Sequence, residues 1–144
     1  MRRYAIQGAI LAVVVVSIGG SFQGCAVYKL AGTPLAKLYV AADDYRSAQE
    51  VAISVLQDPN TPAGVKTAIK RADAAGNAAL HTAVALADEY RTARKLVTDA
   101  QDAGQTPSAD AILAAEVALQ RLKAAIVRVM PLIEALQNAV RAAL

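Results

Sequence analysis

The side chains able to do chemistry are few and far apart. The chain holds one cysteine, Cys25, and one histidine, His81. A single thiol closes no disulfide within the chain, and one thiol with one imidazole falls short of a Cys/His zinc site. The acidic pairs are Asp43-Asp44 and Asp88-Glu89. Neighbours on a helix diverge by about 100°, so neither pair converges as an acid/base dyad or a metal clamp. Arg91, Arg94 and Lys95 form a small basic cluster. Its spacing predicts local ion pairs, Asp88 with Arg91 and Asp99 with Lys95, with a headgroup-facing role as the alternative. Tyr39, Tyr45 and Tyr90 are expected to pack in the core or at its boundary. No GxxxxGK or other Gly-rich phosphate loop occurs. With no Trp and aromatics at 4%, nothing provides a base-stacking surface. The expectation is therefore a protein without catalytic residues, metal or cofactor.

The elements that would position these residues are helices. Hydrophobic residues make up 56% of the chain, and alanine alone about a quarter, a composition that favours helix. Three Thr-Pro pairs, Thr33-Pro34, Thr61-Pro62 and Thr106-Pro107, each precede a long periodic run. Thr is a good N-cap, and Pro suits the first helical position, where its missing N–H would be unbonded anyway. They predict helices over residues 34–57, 62–102 and 107–143. Asp58-Pro59-Asn60 stops the first, and Gly104 suits the left-handed position after the second.

Apolar stripes run along all three. The first carries Leu35, Leu38, Ala42, Tyr45, Ala52 and Leu56. On the second, the seam from Ile69 through Gly76, Ala83 and Tyr90 to Val97 alternates steps of three and four and uses mostly small residues. On the third, the same alternation from Ile112 through Leu122, Ile133 and Leu136 uses large ones. Small facing large interdigitates well, and short connections make successive helices antiparallel. The fold class expected is all-α: an N-terminal signal or membrane helix, then an antiparallel, up-down-up three-helix bundle over residues 34–144. Pro131 predicts a kink or a break in the third helix. Gly76 is read as a point of close helix packing.

The predicted lengths are unequal, about 36, 60 and 55 Å at 1.5 Å per residue. The second and third helices should therefore outrun the first by roughly 20 Å. That overhang leaves Leu96, Val97, Ile112 and Leu113 near its tip, the candidate interaction surface. The alternative is a bundle that bends and closes on itself.

Residues 1–24 have a different character. Arg2 and Arg3 precede an apolar run over residues 10–18, and Gly19, Gly20 and Ser21 follow. Charge, apolar core and small residues in that order form the secretory-signal pattern. The run from Tyr4 to Phe22 is also nearly long enough for a retained span, which needs about 20 residues. Both readings place the body outside the cytoplasm.

The stretch Phe22-Gln23-Gly24-Cys25 resembles the lipobox of bacterial lipoproteins. Gly24 and Cys25 fit it, while Phe22 stands where Leu is usual and Gln23 where a small residue is usual. The resemblance implies diacylglycerol on Cys25 and cleavage before it, with residues 25–33 as a linker. Ala26 at the next position implies the outer membrane. The body itself is assigned to no family.

Charge supports this division. The net +3 includes Arg2 and Arg3, and without residues 1–24 there are 13 basic residues against 12 acidic. A nearly neutral body speaks against nucleic acid as a partner. The function expected is that of a non-enzymatic, membrane-tethered lipoprotein of the bacterial envelope, a structural or adaptor subunit on the periplasmic side. It would bind a protein partner or a second copy of itself. An uncleaved single-span subunit of a membrane assembly and a small apolar-ligand carrier are the alternatives.

Overall fold

A computed structural model describes residues 32–143. The expected N-terminal signal or membrane helix and the lipidation candidate Cys25 lie outside the described residues. Within them the protein is all-helical: α1 (Pro34–Gln57), α2 (Ala63–Asp102) and α3 (Ala109–Arg141), with no strand among the described residues. No helix among the described residues is long and apolar enough to cross a membrane.

The helix ends show how local chemistry sets these bounds. At α1 the expectation holds: the Thr33 hydroxyl accepts from the Ala36 N–H at 3.1 Å, with Pro34 opening the helix. The other two Thr-Pro pairs act differently. Thr61 turns back and donates its hydroxyl to the Val55 carbonyl at 2.9 Å, satisfying an orphan acceptor in the last turn of α1. Pro62 itself is the N-cap of α2, without a side-chain cap bond. At α3 the cap is Ser108 rather than Thr106, its hydroxyl accepting from the Ala111 N–H at 3.2 Å. Asp110 in the first turn adds a favourable charge at the positive end of the helix dipole.

Beyond α2, Gly104 has φ +69, the left-handed conformation expected of it. The Gly104 N–H bonds the Gln101 carbonyl at 2.9 Å and the Gln105 N–H bonds the Ala100 carbonyl at 2.8 Å, closing a Schellman motif. The predicted break at Pro131 does not occur, and α3 runs unbroken through it. Pro131 is exposed while Met130 and Ile133 pack inward, so the ring projects to solvent and the core-facing side continues past it.

All three helices share one apolar core. α3 supplies its bulk: Leu122, Ile126, Val129, Ile133, Leu136 and Val140. α2 contributes Ile69, Gly76, Ala83 and Ala87, so small residues do face large ones. On α1 the seam differs from the predicted stripe. Leu38, Tyr45 and Ala52 are buried as expected, but the intervening positions are Ala41, Ala48 and Val55, with Leu35, Ala42 and Leu56 only half-buried. Steps of three and four along 38, 41, 45, 48, 52 and 55 make a regular seam, rotated by one residue at alternate positions.

Tyr45 anchors that seam. Its ring sits against Gly76, where an added Cβ would come within 2.8 Å of Tyr45 Cε2. Gly76 is thus the point of close packing anticipated from the sequence. The Tyr45 hydroxyl lies 2.6 Å from Asp73 Oδ1 and 2.9 Å from the Asp73 carbonyl oxygen. Gln49 Nε2 donates to the same carboxylate at 2.8 Å and to the Tyr45 oxygen at 3.1 Å. This polar cluster fixes α1 against α2 in both rotation and register.

Candidate functional site

The residues singled out from the sequence fall into distinct settings. His81 is exposed on α2. Arg91 pairs with Asp88 at 2.8 Å and Lys95 with Asp99 at 2.7 Å, the two pairs the spacing predicts. Both are exposed and contribute about 0.2–1 kcal/mol at most. The three tyrosines differ in burial. Tyr39 is exposed and bonds Arg91, whose guanidinium lies 5.8 Å from the ring centroid. Tyr45 is buried, and Tyr90 lines a groove. Burial first, then the bond to the Asp73 carboxylate, pushes the Tyr45 phenol above its usual range. Burial and the neighbouring Asp43 raise the carboxyl of Asp44. No group of three or more His, Cys, Asp or Glu side chains able to hold a metal ion occurs among the described residues.

Grooves open on the surface of the α2–α3 pair. The first, about 540 Å³, opens where the described chain begins, and Gly32 and Thr33 form part of its wall. Its apolar lining is Pro34 and Leu35 from α1, Tyr90 from α2 and Leu119, Ile126 and Val127 from α3. Lys37, Arg94 and Lys123 stand around it, one cation from each helix, and no carboxylate among the described residues lines it. Val127 is exposed, so the apolar lining reaches solvent.

The second groove, about 490 Å³, is lined by Ala93, Leu113 and Val117, with Glu89, Asp110 and Arg121 as its charged residues. Arg121 also lines a neighbouring hollow of about 440 Å³ with Leu86 and Arg128, which extends the same side of the α2–α3 pair.

The four residues expected to form one interaction strip divide between these surroundings. Leu96, Ile112 and Leu113 are exposed, whereas Val97 is half-buried. Ile112 and Leu113, as neighbours on α3, point about 100° apart. Of the four, Leu113 lines the second groove, joined there by Val117. Sequence periodicity missed Val117 and Val127 because both lie off the core seam of α3. It missed the cationic rim of the first groove because no spacing along the chain relates Lys37, Arg94 and Lys123.

No protein-family model, curated protein or solved structure matches this chain.

Proposed function

We propose that the protein is a non-enzymatic, membrane-tethered helical adaptor of the bacterial envelope. Residues 1–25 supply the tether, through lipid on Cys25, and residues 34–144 form the body on the periplasmic side, at the outer membrane. In this reading the body is an up-down-up, antiparallel three-helix bundle. Two contacts favour that order: Tyr39 meets Arg91, while Tyr45, further along α1, meets Asp73, earlier on α2. The short connections over residues 58–62 and 103–108 favour it too.

The adaptor reading rests on one observation. Buried residues end at Ala87 on α2 and begin at Ala118 on α3, while both helices run on and leave Leu113 and Val117 along an open groove. Exposed apolar side chains in a groove between two helices suit the apolar face of a third helix, from a partner protein or a second copy. Glu89, Asp110 and Arg121 around the groove would select that helix by charge.

The test is photo-crosslinking in intact envelopes from an unnatural side chain at Val117, with His81 as the control position. A discrete protein adduct from Val117 and none from His81 is expected. Equal adducts at both positions, or none at either, would refute the assigned surface.

A further inference from the structure

We infer that the groove at the start of α1 binds an anionic phospholipid, its headgroup held among Lys37, Arg94 and Lys123 and an acyl chain laid along Tyr90, Leu119 and Val127. The chemistry of the lining points to this. Cations from three separate helices stand around an apolar floor, with no carboxylate among the described residues lining the groove. Neighbouring cations are engaged elsewhere: Arg91 with Asp88 and Tyr39, Lys95 with Asp99. Arg94 and Lys123 instead border the groove. A short anion alone would leave the apolar floor wet, and a neutral apolar ligand would leave Arg94 and Lys123 unanswered. An amphiphile with a negative head answers both.

Position supports the same ligand. The inference rests on the tethered reading given above. If Cys25 carries the lipid, only residues 26–31 separate it from Gly32 in the groove wall. Fully extended, that linker reaches about 25 Å at 3.3–3.6 Å per residue, so the groove stays within reach of the bilayer surface. The hairpin tip is less suited to an anionic surface, because Asp99, Asp102 and Asp110 lie there.

The experiment is native mass spectrometry of the full chain in non-ionic detergent, offered equal amounts of phosphatidylglycerol and phosphatidylcholine. Wild type should retain phosphatidylglycerol about tenfold over phosphatidylcholine, in line with the attraction of a few basic residues to anionic lipid. The Arg94→Gln/Lys123→Gln variant should lose that preference. The Lys70→Gln/Arg71→Gln variant, with the same charge change elsewhere on the molecule, should keep it. Unchanged far-UV circular dichroism shows that each variant is folded, as expected for exposed positions.

Absence of a preference in wild type, its survival in the first variant, or its equal loss in both would overturn the assignment. Displacement of the lipid by millimolar inorganic phosphate would overturn it too, marking a free-anion site. A chain that is lipidated and membrane-bound yet shows no headgroup preference would refute this inference alone. A chain without lipid on Cys25 would instead refute the tether.

Discussion

Gly76→Ala should change the sign of its effect according to the residue at position 45. Replacing a mid-helix glycine by alanine normally stabilises by about 1 kcal/mol, because glycine loses more conformational freedom on folding. Here the new Cβ would lie 2.8 Å from Tyr45 Cε2, closer than real Cβ atoms approach. The ring has little room to retreat, being 3% exposed and tied at its hydroxyl to Asp73. Overpacking of this kind costs about 1–3 kcal/mol. Together the two effects make Gly76→Ala destabilising by about 1 kcal/mol, or about 4–8 °C in melting temperature for a domain near this size. In a Tyr45→Leu background the ring is gone and the helix-propensity gain should emerge, stabilising by about 1 kcal/mol. The coupling between the two sites is therefore about 2 kcal/mol in a double-mutant cycle. Thermal unfolding of the four proteins followed by circular dichroism gives it directly. A Gly76→Ala variant more stable than wild type in both backgrounds would refute the notch that Gly76 provides for Tyr45.

Three further outcomes follow from the helix contacts and the shifted groups. The Tyr45 phenol is held above its ordinary value, so the bound proton stabilises the fold fully below pH about 10, and that contribution is lost as pH rises through the higher folded value. Tyr45→Phe should lose about 1.5–3 kcal/mol at neutral pH, for a bond to a charged acceptor, yet show a shallower alkaline decline, measured by urea unfolding across pH. Asp44 is also raised in the fold, so its contribution grows as pH falls through the carboxylate range. Asp44→Asn should therefore raise the melting temperature at neutral pH, and the difference should vanish in acid, where both states carry the proton. Ser108→Ala should cost about 1 kcal/mol as a lost cap, and Thr106→Ala less than about 0.5 kcal/mol, the reverse of the ranking that the Thr-Pro pattern predicts.

Much of the helical arrangement was legible because its signals are local. Thr33-Pro34, Gly104 and the steps of three and four along α3 each act within a turn or two of their own position. Thr61 and Thr106 misled for a physical reason. Thr61 serves the carbonyl of the preceding helix, and Ser108 competes successfully with Thr106 for the start of α3. Both outcomes depend on where the chain goes next, which a dipeptide does not encode. The α1 seam was half legible: Tyr45 stands on it, but its contacts with Gly76 and Asp73 lie on another helix. The grooves were the least legible. Leu113 was found as an apolar residue near the hairpin tip, whereas Val117, Arg94 and Lys123 gain their roles only when three helices place them together.

The central claim is the tether, and the most direct measurement is the intact mass of the membrane-extracted protein, wild type beside Cys25→Ala. The account predicts a wild-type mass of residues 25–144 plus acyl chains, and loss of that species on substitution. A full-length, unlipidated mass for the wild type would contradict it and make residues 1–24 part of the working protein.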